Sequence, residues 1–273
     1  MEIGTILKQT RKRQGLSQKE LSDGICAQSM LSAVENNQYT PNAQLLIKLC
    51  QRLSVSLDQF SLADNFDISP RNTFNQTVEK LCNNHNYLKL KSFLSENSTL
   101  EQIETPQQTQ AYYYYLGVSQ FHTDKKLDDA QNNLEMSVNI AEEKNSLSVL
   151  TRLGLITLAI LKSKNHLQSS ATKLIQRAMQ NIGNIKYEEN INVIFYLAAF
   201  IDYQSGNNAM AVKQVESAIT FITNHNSHYM LANCYYLIAQ IAKNSGDKDQ
   251  MLESLQRQKF LTELFHEKVY DKF

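Results

Sequence analysis

A stretch of short polar side chains between Gly15 and Pro41 has the chemistry needed to read DNA. In the DNA major groove, amide side chains bond base edges in pairs, and small side chains let a helix backbone come close. Gln28 can bond an adenine edge in this way. The candidate base-reading residues share one predicted helix face and are Gln28, Ser29, Ser32, Ala33 and Asn36. The alternative is that this face is only solvated helix surface.

Three further side chains are candidates for contact with the phosphate backbone. Gln18 begins the preceding predicted helix, where backbone amides point outward and can hold a phosphate. Arg11 and Arg13 belong to the basic run 11–13, which would attract DNA of any sequence. Residues 1–53 hold seven basic and four acidic side chains, a net charge of +3 in a chain of net charge zero. This modest charge predicts weak binding by one copy, and hence a homodimer that reads two half-sites of a pseudo-palindromic operator.

Five short amphipathic helices are predicted to position these residues within a first domain, residues 1–64. Each helix has a recognisable start or stop signal, such as a capping box or a glycine. The predicted boundaries are Gly15 at the end of the first helix, Ser17 with Glu20 capping the second, Gln28 to about Asn37 for the third, Thr40 and Pro41 opening the fourth, and Ser56 to Phe60 for the fifth.

A second domain is predicted over residues 73–273, after a polar linker at 65–72. Its helices carry small residues thirteen positions apart, or seventeen in the copy with a longer loop that begins at Gly154, often with a third seven further on, as expected where paired helices approach closely. The sets are Gly117, Ala130 and Ser137; Gly154, Ala171 and Ala178; and Ala198, Ala211 and Ala218. The chain is therefore predicted to be all-α, with a right-handed α-solenoid of tetratricopeptide-like helix pairs following the first domain.

The segment GLSQKELSDGICAQSMLSAVENNQYTP, residues 15–41, resembles the helix-turn-helix of the Xre/Cro-like DNA-binding family. The resemblance extends over residues 1 to about 60, and it departs from the common pattern in a turn one residue shorter, at Gly24-Ile25-Cys26. The residues that carry it are Leu16-Ser17-Gln18, Glu20-Leu21, Ser29, Leu31-Ser32, Val34-Glu35-Asn36, Thr40-Pro41, Leu53 and Ser56-Leu57.

Helical repeats behind such a domain resemble the RNPP group of peptide-pheromone-responsive regulators of Gram-positive bacteria. The motifs GICAQSMLS, VENN and RLSVSLDQF are most similar to the Rgg and PlcR types of that group. The resemblance implies a cytoplasmic homodimer whose repeat domain binds a short, secreted and re-imported signalling peptide. Binding of this quorum-sensing peptide would change DNA binding or transcription activation.

The first helix of each pair is expected to line a concave groove that can hold an extended peptide. An Asn amide offers both a donor and an acceptor to a peptide backbone, Arg152 can pair with a carboxylate, and aromatic rings can hold apolar side chains. The candidate peptide-binding residues are Tyr115, Arg152, Asn192, Tyr196, Tyr203, Asn233 and Tyr236. The alternative is that many of the 13 tyrosines simply pack the helices together.

Several classes of function lack the residues they need. The longest apolar run, residues 153–161, is about half the length of a membrane span, and the four cysteines form no CxxC pair. No phosphate-binding glycine loop, nucleophile elbow or HExxH motif is present, so no catalytic residue, metal or cofactor is predicted and the protein is not expected to be an enzyme.

Two other functions are alternatives to a peptide switch. In one, the repeat domain docks a protein partner, such as an RNA polymerase subunit, without a peptide signal. In the other, the chain inhibits a phosphatase or a response regulator, as some repeat relatives do. Those relatives carry a helical bundle in front of the repeats, and the first domain here argues against that function.

Overall fold

The computed structural model describes residues 3–54, 66–140 and 147–270, and within these ranges the regular elements are all helices. The chain divides into two units, Met1–Asp64 and Asn65–Phe273, each with a hydrophobic core of its own. The prediction of an all-α chain is therefore confirmed for the described residues. Within them, no helix is both long and apolar enough to cross a membrane.

The first unit contains four described helices whose leucines meet in one core. The predicted capping box is present, because the Ser17 hydroxyl accepts from the Glu20 amide and the Glu20 carboxylate accepts from the Ser17 amide. The core side chains Leu7, Leu21, Leu31, Leu49 and Leu53 are all fully buried. The helices are α1 (Ile3–Arg13), α2 (Gln18–Ser22), α3 (Gln28–Glu35) and α4 (Ala43–Arg52).

Two predicted boundaries in this unit are wrong. Helix α3 ends at Glu35, because Asn37 adopts a left-handed backbone conformation with φ of 58°. Helix α4 begins after Asn42 rather than at Thr40 and Pro41, since the Asn42 side chain accepts a hydrogen bond from the Leu45 amide at 2.9 Å. The predicted fifth helix, residues 56–60, lies outside the described residues.

The second unit is a series of helices that pack in consecutive pairs along the chain, as expected of helical repeats. The helices α8 with α9, α10 with α11, α12 with α13 and α14 with α15 form the closest pairs. Their bounds are α5 (Asn72–Asn83), α6 (Tyr87–Leu94), α7 (Asn97–Leu100), α8 (Pro106–Thr123), α9 (Asp128–Ile140), α10 (Val149–Lys164), α11 (Gln168–Met179), α12 (Asn190–Gln204), α13 (Asn208–Asn224), α14 (Leu231–Ser245) and α15 (Lys248–Phe265).

Small residues mark the places where the helices of the second unit approach closely, as their spacing predicts. A Cβ added at Gly117 would lie 2.7 Å from Cγ of Leu134 on the paired helix. A Cβ added at Gly154 would lie 2.9 Å from a methyl group of Val138. The other small residues of the three sets are buried. The sequence period therefore has a packing cause.

The predicted linker at 65–72 is wrong in one respect, because its described part folds onto the second unit. Ile68 is fully buried in that unit's core, and Ser69 is buried beside it. The Asn75 side chain accepts from both of their amides, at 3.0 and 3.1 Å, and donates to the Ser69 carbonyl. The buried isoleucine and these three hydrogen bonds hold this segment against the second unit, although its polar composition predicted a linker.

Candidate functional site

Helix α3 presents one polar face to solvent and buries the opposite face in the first unit. Gln28, Ser29 and Asn36 are exposed, and Ser32 and Ala33 are half-buried. The buried face consists of Leu31, Val34 and Glu35. The structure therefore brings all five candidate base-reading residues to one accessible surface. Their contact with DNA stays a prediction.

Glu35 is the residue that ties α3 to the two preceding helices. Its side chain is fully buried and accepts from Arg11 Nε at 2.6 Å and from Arg11 Nη2 at 2.8 Å. Gln18 Nε2 donates to the same carboxylate at 2.9 Å. Burial raises the pKa of Glu35, but the hydrogen bonds from Arg11 and Gln18 outweigh it and hold this pKa below its usual value.

This arrangement corrects the role predicted for Arg11. Arg11 is 7% exposed, and its third donor, Nη1, donates a hydrogen bond to the Leu16 carbonyl at 2.7 Å. A guanidinium whose planar fork is occupied by a buried carboxylate is not available to a phosphate. Arg11 is therefore a structural residue of the helix-turn-helix. Gln18 is half-buried, and its amide is likewise directed at Glu35 rather than outward.

Arg13 remains exposed, in contrast to Arg11 two positions earlier. Its Nη2 lies 3.3 Å from the Thr10 hydroxyl, a contact on its own helix. Lys8 on the same helix donates to the Asn36 side-chain oxygen at 2.8 Å, so a candidate base-reading residue is oriented from α1. The basic side chains of α1 thus divide between structure and accessible surface.

Gly4 and Asn37 position α3 against α1, and sequence reasoning did not single them out. The Gly4 amide donates to Asn37 Oδ1 at 3.1 Å, and Asn37 Nδ2 donates to the Thr5 hydroxyl at 3.0 Å. A Cβ at Gly4 would overlap the Val34 carbonyl oxygen. The available signal was a lone glycine inside an amphipathic helix, which often indicates close backbone approach.

Arg152 of the second unit is buried and bound to its own chain, and its pairing with a peptide carboxylate stays a prediction. The residue is 3% exposed and its Nη1 donates to the carbonyls of Ala178 at 2.6 Å and Gln180 at 2.8 Å. Its Nε donates to the Leu147 carbonyl at 3.3 Å. Burial lowers the pKa of Arg152. The guanidinium thus binds carbonyls at the end of α11, which a helix leaves without intrahelical partners.

The two candidate asparagines are also buried, and both amides bind groups of their own chain. Asn192 is fully buried and donates to the Tyr187 and Ser227 hydroxyls and to the Tyr229 carbonyl, at 3.1 to 3.2 Å. Asn233 is 3% exposed, and its partners are residues 267 and 270, which follow the last helix. An Asn amide does offer both a donor and an acceptor here, as predicted, but to this chain.

The four candidate tyrosines of the second unit are buried or half-buried. Tyr115 and Tyr196 are buried, and burial raises the pKa of both phenols above the usual value. Tyr203 and Tyr236 are half-buried, and the Tyr203 hydroxyl accepts from Asn244 at 3.0 Å. Tyr196 is distinctive because its hydroxyl is buried without a hydrogen-bond partner. A role of these rings in binding a peptide stays a prediction.

Comparison with known proteins identifies the first unit. Residues 7–60 match the family model described as helix-turn-helix. Comparison with curated proteins gives no match.

Solved structures resemble the chain over nearly its whole length. PlcR of Bacillus thuringiensis, in complex with the peptide PapR7 and DNA, has a TM-score of 0.67 at 18% identity, with 97% of this chain and 95% of that chain covered. PlcR in its apo form gives a TM-score of 0.58 at 16% identity, with the same coverage. ComR from S. thermophilus, in complex with DNA and its signalling peptide ComS, gives 0.50 at 15% identity, with 97% and 94% covered. The chain therefore combines a helix-turn-helix domain with a helical-repeat fold like that of PlcR and ComR.

Proposed function

We propose that this protein is a sequence-specific transcription regulator whose activity is switched by a short signalling peptide bound within its repeat domain. The observation that carries the DNA-binding part is the accessible polar face of α3, which Glu35 fixes against α1 and α2. A helix that is held rigidly and exposes short polar side chains at its start fits a DNA major groove. The peptide-binding part is supported by the match in fold to PlcR and ComR, whose structures contain signalling peptides.

A homodimer is part of this proposal. The end helix α15 exposes three large apolar side chains, Leu252, Phe260 and Leu264, each more than half exposed. Apolar side chains clustered on an end helix are suited to an interface between two copies. Two recognition helices would then read the half-sites of a pseudo-palindromic operator, and contact with RNA polymerase would follow at the promoter.

The DNA-binding part is tested by changing the exposed face of α3. Fluorescence anisotropy of labelled duplexes compares the wild type with the double variant Gln28→Ala, Ser32→Ala. We expect the preference for the operator over other duplexes to fall by about ten- to hundred-fold, because loss of the one bidentate base contact, that of Gln28, costs about 1 to 3 kcal/mol. The matched variant Arg13→Ala should weaken binding to all duplexes alike and reduce its salt dependence. An unchanged operator preference in the double variant would remove α3 as the recognition helix.

A further inference from the structure

The C-terminal tail, residues 266–270, follows α15 without helical structure and binds the start of α14. Glu267 Oε1 accepts from Asn233 Nδ2 at 2.6 Å and from the Met230 amide at 3.0 Å. The Tyr270 amide donates to Asn233 Oδ1 at 3.1 Å. One asparagine amide therefore bonds both a side chain and the backbone of the tail.

The same five residues also reach the opposite end of the second unit. Lys268 Nζ donates to the Asn84 carbonyl at 2.8 Å, and His85 Nε2 donates to the Lys268 carbonyl at 2.9 Å. The Tyr270 hydroxyl is hydrogen-bonded to His122 Nδ1 at 3.2 Å, and the Tyr270 ring lies edge-on to both histidine rings. The tail thus connects the C-terminal ends of two helices, α5 and α8, with the start of α14.

These contacts resemble those that a receptor makes with a bound peptide. Side chains of the repeats bind a backbone N–H, a backbone carbonyl, a carboxylate and an aromatic ring of the tail, all within five residues. One of the residues predicted to bind a peptide, Asn233, holds the tail directly. A second, Tyr196, is near enough for Glu267 and Tyr270 to add to the rise in its pKa, of which burial is the main cause.

We propose that the C-terminal tail is an intramolecular occupant of the peptide site, and that a signalling peptide binds by displacing it. This inference rests on the proposed function, since it concerns the same site. The tail also defines the chemical class of ligand: a short extended peptide with a carboxylate and, three residues later, an aromatic ring. Such a peptide gains an advantage over the tail if it also bonds the Tyr196 hydroxyl, which the tail leaves unpaired.

The tail can leave without unfolding the last helix pair. Phe265 stacks on His228 with ring centroids 3.7 Å apart, which fixes the end of α15. His266 directly after it has a φ of 56°, a left-handed conformation at which the chain changes direction. Because the tail is tethered, its effective concentration at the site is high. The apparent affinity of a free peptide is therefore its intrinsic affinity multiplied by the fraction of molecules in which the tail is released.

The test uses a fluorescein-labelled peptide with the sequence of residues 266–273, HEKVYDKF, and measures its anisotropy with the full chain. We expect weak binding to the wild type, and binding at least about tenfold tighter to the variant Glu267→Ala, Tyr270→Ala, whose own tail is no longer held. A chain ending at Phe265 should bind as tightly as this double variant. Adding Asn233→Ala to the double variant should abolish the gain.

The matched control is Tyr39→Ala, Glu101→Ala, which makes the same two types of change at exposed positions outside the tail. This control should bind the peptide as weakly as the wild type. Equal affinity of the wild type and the tail variants would overturn the proposal, and so would no binding to any of them. The assay contains neither DNA nor a secreted peptide. A failure of the proposed regulatory function would therefore leave this result intact, and the two failures are distinguishable.

Discussion

At the scale of single residues, Arg11 and Arg13 show how burial separates two side chains of identical chemistry. Both belong to the run Arg11-Lys12-Arg13, and composition alone assigned both to DNA. The difference lies in the helical period, because Arg11 follows Leu7 by four residues and so lies on the buried face. Glu35 follows Leu31 by the same spacing. The pair was within reach of sequence analysis, but the hydrogen bonds that join its members across 24 residues were not.

Replacement of Arg11 by alanine is expected to destabilise the first unit by about 3 kcal/mol, because it leaves the buried Glu35 carboxylate without its partner. Arg13→Ala should change stability by less than about 0.5 kcal/mol, since that side chain is exposed. Urea unfolding of the full chain, followed by circular dichroism, measures both. Equal stability of the two variants would show that the ion pair does not hold the domain together.

At the scale of elements, the sequence predicted the helix pairs well and their exact junctions less well. The small residues at Gly117 and Gly154 lie where two helices meet, because close approach leaves no room for a side chain. The start of α4 was misplaced, since Thr40-Pro41 and Asn42 are both good start signals and only the hydrogen bond to Leu45 decides between them. The C-terminal tail was missed because five non-periodic residues carry no signal of partners more than 180 residues away.

The approach of α1 to α3 gives a prediction for one glycine. Gly4→Ala should destabilise the first unit by about 1 to 3 kcal/mol, because the added Cβ overlaps the Val34 carbonyl oxygen and the two helices must move apart. Gly183→Ala is the control, since nothing lies within 4 Å of a Cβ at that position. Thermal unfolding of both variants measures the difference. A Gly4→Ala variant as stable as the wild type would contradict the close approach.

At the scale of the whole molecule, the second unit is joined end to end by its own tail, and the strength of that junction should depend on pH. The pKa of Glu267 is raised to about 7: burial is the main cause, the hydrogen bonds from Asn233 and Met230 oppose it, and the nearby charge of Glu189 adds to it. Because the pKa of Glu267 is higher in the docked tail than in the released tail, protonation of this carboxyl group favours docking. The docked tail is therefore most stable below the ordinary pKa of 4.5 and weakens as pH rises through about 7.

Hydrogen exchange at the Tyr270 amide, which donates to Asn233, measures this docking directly. The protection factor is expected to fall by about tenfold between pH 6 and pH 8. Glu267→Gln keeps an acceptor oxygen but cannot ionise, so it should remove most of the fall. An equal fall in both proteins would contradict the assignment to Glu267.

The central claim is that one chain binds a specific DNA sequence and that a peptide changes this binding. It is tested by fluorescence anisotropy of labelled duplexes that tile the DNA flanking this gene, over a range of salt, with and without the peptide fraction of culture supernatant. We expect one duplex to bind more tightly than the others at every salt concentration, with an affinity that shifts when the peptide fraction is added. Binding without preference for any duplex, or a preference that the fraction leaves unchanged, would contradict the claim.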